Sequence, residues 1–342
     1  MQPTFKIIED KLSWVNVLQS IDSYDFYHTY DYHELSKTTN EKPILVVFKS
    51  KDILIAIPFL LRKIFDTDYF DLTSVYGYAG PLQKNITKDF DNTKFASELV
   101  HFFTQKKIVS VFSRLNPFIS NQEIILNGLG NITELGRIVN INIVKTVEEQ
   151  KKDFSKTTKR YINRTNKLCD IVSLKDPKSI SVFKNLYYEN MDRVQAKKSY
   201  YFSEKYFNDF VNSSDFKTDI LFAILKETGE IIAAAIFITT NKIVQYHISG
   251  TKNDYLHLTP IRILINYMRI KATEAGFTYF NLGGGLSCSE DSLFNFKSSF
   301  SKDFKSFKVW KQIIYEDVYK DLANEFATNT NNQDYFPAYR NS

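Results

Sequence analysis

The chain has 342 residues, 43% hydrophobic and 24% charged, ordinary proportions for a folded globular protein and enough length for two domains of roughly 150 residues. No run approaches the roughly 18 unbroken apolar residues of a membrane-crossing helix. The 44 Lys and Arg against 39 Asp and Glu leave a formal charge of +5, too mild for a dedicated DNA binder but suited to an anionic substrate such as a nucleotide, a phospho-sugar or tRNA.

Two cysteines, Cys169 and Cys288, make neither a disulfide framework nor a zinc site. The histidines, His28, His33, His101, His247 and His257, show no metal-ligand spacing, so no metal is expected. The opening "MQPTFKIIEDKLSW" lacks the basic start and apolar run of a secretory signal, which points to the cytoplasm.

In chain order, "ILVVFKSKDILIAIPFLLRK" (44–63) reads as strand, polar turn, strand, apolar enough for burial on both faces. "YFDLTSVYGYAGPLQ" (69–83) reads as an aromatic strand ending in a Gly-Pro turn. "FASELVHFFTQKK" (95–107) has Leu99, Phe102 and Phe103 at helical spacing and runs into the strand "IVSVFSRLNP". The same order then recurs. "ILFAILKETGEIIAAAIFITTNK" (220–242) is a second hairpin, "NKIVQYHISG" a further strand, "PIRILINYMRIKATEAGF" (260–277) a helix, and "TYFNL" its following strand. This repetition predicts an α/β protein of two similar halves, 1–145 and 146–325, followed by a tail over 326–342 whose final "YFPAYR" packs back on the fold.

Four segments carry candidate chemistry. The basic "KKDFSKTTKRYINRTNK" (151–167) places Lys156, Lys159, Arg160, Asn163 and Lys167 on one helix face, either a solvated face or a rim that steers a phosphorylated or tRNA substrate. Arg193 closes a helix before the aromatic run Tyr200, Tyr201 and Phe202, where a planar cation suits phosphate or carboxylate. Thr259 is expected as the N-cap and Pro260 as the first residue of the 260–277 helix, whose free N–H groups and positive end could cradle a pyrophosphate, with Arg262 in the first turn. Finally, "FNLGGGLSCSEDSLFNFKSSF" (280–300) reads as a strand end whose glycines admit a substrate or another backbone. It is followed by a segment starting at Asp291 and Ser292 that presents Lys297 between Phe294, Phe296 and Phe300.

Together, "SKTTKRYINRTNK", "MDRVQAKKSYYF", "GEIIAAAIFITTNKIVQYHISGTKNDYLHLTP", "FNLGGG" and "DSLFNFKSSFSKDF" resemble the Fem aminoacyltransferases of peptidoglycan bridge formation. They equally resemble related acetyltransferase-like proteins of cell-envelope polysaccharide clusters, both within the GNAT-like superfamily. The first half matches through "DFYHTYDYHEL", "AIPFLLRK" and "GYAGPL". The resemblance implies two tandem GNAT-like halves, each a mixed, mostly antiparallel sheet with flanking helices, and an acyltransferase whose donor lies where two parallel strands splay.

The resemblance also implies that Tyr246, His247, Ser249 and Gly250 face this cleft; Thr259 and Arg262, from the helix start described above, are the candidates that serve the donor. By the same resemblance, Arg193 lies near the phosphates of a nucleotide-linked acceptor, while Asn281, Gly283, Gly284 and Lys297 form the far wall; Arg160, from the basic helix face, is the further candidate to meet an anionic substrate. "SGTKNDYLHLTP" holds only Gly250 where a CoA-using member has a Gly-x-Gly-type loop, which favours aminoacyl-tRNA over acyl-CoA as donor. No tightly bound cofactor is implied. The acceptor would be the amine of a nucleotide-linked or lipid-linked precursor of the cell envelope, met in the cytoplasm or at the inner membrane surface. The alternatives are a CoA-dependent N-acetyltransferase of amino sugars and a non-catalytic binding protein.

His247 is the candidate base, having an ordinary pKa near neutrality of about 6.5, and Tyr246 the alternative proton donor. Neighbouring strand residues point to opposite faces, so only one of the two should line the cleft. Cys288 as a nucleophile is disfavoured by its acidic surroundings "SCSED".

Overall fold

A computed structural model describes residues 4–327 and 335–341. The chain opens with β1 (Thr4–Ile8), α1 (Lys11–Gln19) and α2 (Tyr30–Ser36). It continues through β2 (Glu41–Ser50), β3 (Ile53–Lys63), β4 (Phe70–Thr73), β5 (Leu82–Lys84), α3 (Thr93–Gln105), β6 (Ile108–Arg114) and α4 (Gln122–Ile125). After β7 (Asn131–Asn142) come α5 (Val147–Lys152), α6 (Lys156–Leu168), β8 (Cys169–Ser173), α7 (Pro177–Arg193) and α8 (Glu204–Val211). The strands β9 (Lys217–Leu225), β10 (Ile231–Thr240) and β11 (Ile243–Thr251) lead to α9 (Ile261–Glu274), β12 (Tyr279–Gly283) and α10 (Ser292–Ser298). The chain closes with β13 (Asp303–Ile313) and α11 (Glu316–Phe326).

The chain divides into two compact units, Met1–Leu135 with Phe307–Ser342, and Gly136–Ser306. The first division thus falls ahead of the expected 145/146 boundary. Residues 307–325, expected in the second half, pack with the first. Of the expected tail, 328–334 and 342 lie outside the described residues. Its remainder packs back onto the first unit: Tyr339 is buried and its hydroxyl meets Ser110 Oγ at 2.7 Å.

In the first unit the strand order is β1-β2-β3-β4-β6-β13, with β5 also on β3. β2 and β3 form the expected hairpin around Lys51 and Asp52, with Lys51 at φ +53. Their aliphatic runs are buried on both faces, as near-continuous apolar strands require. The α3 stripe Phe95, Leu99 and Phe103 covers this sheet beside Trp310. The stretch 69–83 is two short strands with an irregular link instead of one strand, because Gly77 and Gly80 take φ of +123° and +89° that break a ladder.

The second unit repeats the plan with strand order β7-β12-β11-β10-β9-β8. β9 and β10 pair around a turn containing Gly229 at φ +71. α9 returns the chain so that β12 lies parallel to β11, as β6 lies parallel to β4 in the first unit. The core joins Leu264, Met268 and Ala272 of α9 and Ile162 of α6 to Ala233, Ala235 and Phe237 of β10.

In the first unit a buried carboxylate holds the C-terminal segment. Asp71, fully buried, accepts from Arg62 Nε and Arg340 Nε, each at 2.6 Å. Removing one charge from such a cluster leaves the others uncompensated, at a cost of about 3 kcal/mol. Asp71→Asn is therefore expected to lower the urea midpoint of the first unit and to speed protease cleavage beyond residue 326. Wild-type protease resistance in the variant would contradict this.

Candidate active site

β11 and β12 pair only over Ile243–Gln245 with Tyr279–Asn281. Beyond that point β11 runs on to Thr251 without β12 beside it. Asn281 closes the paired region from inside: its Nδ2 donates to Gln245 Oε1 at 2.8 Å and its Oδ1 accepts from Gly283 N at 2.8 Å. In the first unit the corresponding strands come back together, because Ser74 N donates to Phe112 O and Ala79 bridges Leu115 in parallel. The second unit keeps the opening.

A bulge shapes the opening. Ile236 faces Ile248 and Phe237 faces Tyr246, which makes His247 the extra residue of β11. Strict alternation would set Tyr246 and Ile248 on one face. With one residue inserted, Tyr246 and Ser249 share it instead, and their hydroxyls meet at 2.6 Å. A cleft of about 290 Å³ lies there, lined by Tyr246, Ser249, Gly250 and Thr251 of β11, Asn190 and Arg193 of α7, Leu256, Thr259, Pro260, Ile261 and Phe296.

The two members of the Tyr246–His247 pair lie apart. Tyr246 enters the cleft and packs on the core around Phe237. Desolvation raises its pKa to about 12, so near neutral pH the phenol keeps its proton and can only donate it or hydrogen-bond. His247 is absent from the cleft lining and stacks on Phe210 of α8 at 5.0 Å and 7°. Desolvation pushes its pKa down to about 4. A neutral ring clasped by an aromatic face is poorly placed as a base for this cleft.

The other expected residues separate into those at the cleft and those beside it. Arg193 reaches it while donating to Thr251 O at 3.3 Å, to Asn253 Oδ1 at 2.7 Å and to Asn190 Oδ1. Gly250 lines it, but a Cβ there would stand 2.3 Å from the backbone of Leu186, so α7 packing is what requires the glycine. Thr259 lines it too, though not as the expected N-cap. It sits at φ +47 ending the preceding turn, Pro260 takes the cap position, and the Thr259 Oγ1 is buried without a partner.

Arg262 is enclosed rather than open to a donor. Its Nη1 donates to Thr158 Oγ1 at 2.6 Å and Ser299 Oγ at 2.7 Å, and its guanidinium lies over Phe296 at 4.7 Å and Phe300 at 5.6 Å. Burial lowers its pKa. Asn281 is fully buried and spends its side chain on the strand junction. Lys297 is buried outside the lining, donates to Gly284 O at 2.6 Å, and is pushed down to about 8 by desolvation, against the opposing pull of Asp291.

Gly284 and Gly285 make room for backbone, since their Cβ atoms would stand 3.0 Å from Arg137 O and 2.1 Å from Ser289 O; Gly283 is at φ +78. Arg160 is exposed on α6 and takes no part in the lining. The sequence reading missed Asn190, Thr251, Leu256, Ile261 and Phe296. Asn190 had one signal, its position three residues before Arg193 on the same helix.

The FemAB family profile matches residues 224–307, which contain β11, α9, β12 and α10. The fold resembles the solved structure of FemX, at 12% identity and a TM-score of 0.71, covering 94% of this chain and 99% of that one. It also resembles a conserved protein of unknown function from Bacteroides thetaiotaomicron, at 12% identity, a TM-score of 0.59 and coverage of 90% and 100%. A third likeness is to the C-terminal domain (DUF2156) of a proposed lysylphosphatidylglycerol synthetase from Agrobacterium fabrum, at 12% identity, a TM-score of 0.54 and coverage of 92% and 94%. No curated protein matches the chain.

The class is thus a mixed α/β protein of two units whose fold is similar to that of FemX. Its family likeness is to FemAB, over residues 224–307. Among the described residues no helix is long and apolar enough to cross a membrane.

Because α7 crosses β11 at Gly250, Gly250→Ala must push the two apart. The expected loss is about 1–3 kcal/mol, measured by urea denaturation, with weaker occupancy of the cleft. Unchanged stability would show that α7 moves aside freely.

Proposed function

We propose that the chain transfers an aminoacyl or acyl group from an activated ester donor, with aminoacyl-tRNA favoured, to the amine of a nucleotide-linked or lipid-linked precursor of the cell envelope in the cytoplasm. The observation that carries this reading is the opening between β11 and β12 with the Tyr246–Ser249 hydroxyl pair inside it. The start of α9 beside the opening carries Thr259 and Pro260 in place of a glycine loop, which supports an ester over a CoA thioester.

The donor carbonyl would sit against the unpaired side of β11, where backbone N–H groups can take up developing oxyanion charge. The acceptor amine attacks the carbonyl carbon and the C–O bond to the leaving hydroxyl breaks. Atoms balance if the proton lost by the amine nitrogen passes to Ser249 Oγ as Tyr246 Oη gives its own to the leaving oxygen, and Ser249 then restores the phenol. The short hydroxyl pair fits such a relay, and the high phenol pKa keeps Tyr246 charged with its proton beforehand. Most of the rate would come from held geometry, since the ester is already activated. Arg193, at the rim, supplies a planar cation for acceptor phosphate while it anchors Asn253.

The test is amide formation followed by mass spectrometry, with a glycylated RNA hairpin or acetyl-CoA as donor and a UDP-linked amino sugar or UDP-linked peptide as acceptor. Product from the RNA donor is expected. Tyr246→Phe should lower kcat by roughly 100-fold, and His247→Leu should leave it within about twofold. Product from acetyl-CoA alone would favour the N-acetyltransferase alternative, and no product from either donor would favour a binding protein.

A further inference from the structure

The solvent-facing side of α6 is a run of like charge. It carries Lys156, Lys159, Arg160, Arg164 and Lys167 and no acidic residue. Several surface lysines elsewhere in the unit do pair, as Lys184 does with Glu204, Lys226 with Asp170 and Lys271 with Asp219. None of the five α6 cations has a carboxylate within ion-pair distance among the described residues. The arrangement disfavours the isolated helix. Like charges stand at 156/159, 156/160, 160/164 and 164/167, and two cations face the positive end of the helix dipole.

The geometry selects the partner. At 100° per residue these cations occupy an arc of about 140° directly opposite the buried Thr158, Ile162 and Thr165. Lys156, Arg160, Arg164 and Lys167 follow one another at intervals of about 4–6 Å, a line about 16 Å long. The only other side chain within that arc is Asn163, with no aromatic or aliphatic group to insert into a bilayer. A single row of cations containing two arginines suits one phosphodiester strand better than a plane of headgroups.

The opposite face of α6 is tied to the cleft. Thr165 Oγ1 donates to Leu258 O at 2.7 Å, immediately before Thr259, and Thr158 binds Arg262 beneath Phe296. We propose that the exposed face of α6 is the docking surface for the phosphodiester backbone of the RNA that carries the acyl group. This rests on the ester-donor reading above.

The test is fluorescence anisotropy of the full chain with a labelled, unacylated RNA hairpin bearing a single-stranded 3′ end, titrated across salt. Binding is expected to weaken steeply with salt. Arg160→Glu with Arg164→Glu should raise Kd at least 10-fold and reduce the salt slope by about 2. Lys156→Gln with Arg160→Gln, a milder pair for the helix, should give a smaller rise, and Asn163→Ala none; circular dichroism confirms that each is folded.

An unchanged Kd in the charge-reversed variant, or no RNA binding by the wild type, overturns the proposal. So does charge-dependent binding to vesicles containing phosphatidylserine without binding to RNA. Transfer by the wild type from an acylated trinucleotide, too short to span α6, examines the cleft separately. Its absence would remove the ester-donor reading, whereas its presence with no hairpin binding would remove the docking surface alone.

Discussion

Everything proposed for this protein depends on two parallel strands ceasing to pair. β11 and β12 are paired over three positions and then part, and the hydrogen bond from Asn281 Nδ2 to Gln245 Oε1 marks the last shared point. A sheet interior that opens in this way exposes backbone donors and polar side chains within apolar walls, which is costly unless a ligand or neighbouring packing uses them. Here the walls are Phe296, Ile261, Pro260 and Leu256, and the polar groups are the Tyr246 and Ser249 hydroxyls with Arg193 at the rim.

The bulge at His247 gives the opening its chemistry. One extra residue in β11 brings two hydroxyls three positions apart onto one face and turns the imidazole to the other, against Phe210. The parallel strands of the first unit lack such an opening, since Ala79 and Leu115 bring them together again. Two units with one plan therefore differ in what they can do. Arg262 illustrates how the second unit supports its cleft: a half-buried cation, with no carboxylate in ion-pair distance among the described residues, is held by the hydroxyls of Thr158 and Ser299 and by the rings of Phe296 and Phe300, joining α6, α9 and α10 behind the wall.

Much of the fold was legible in the sequence. The apolar hairpins, the α3 and α9 periodicities and the repeated order of strands and helices each rest on local pattern, and all recur in the structure. The return of residues 307–325 to the first unit was not, because a strand's partner is chosen by tertiary packing that periodicity does not encode. In the site, alternation separated Tyr246 from His247 but could not say which faced inward, since the bulge falls at His247 itself. Thr259 followed by Pro260 looks like a cap and first turn, yet the turn before it forces Thr259 to φ +47. Asn281 and Arg262 are polar residues of a kind that binds ligands, and only the structure shows that Asn281 is buried at the strand junction and that Arg262 Nη1 is committed to Thr158 and Ser299.

The most direct measurement is hydrogen–deuterium exchange of the full chain with and without a hydrolysis-resistant, amide-linked aminoacyl-RNA analogue. The account predicts new protection at 246–251 and at the start of α9, with 74–79 and 112–115 of the first unit unchanged. Protection confined to the first unit, with the 246–251 amides unaffected, would contradict it.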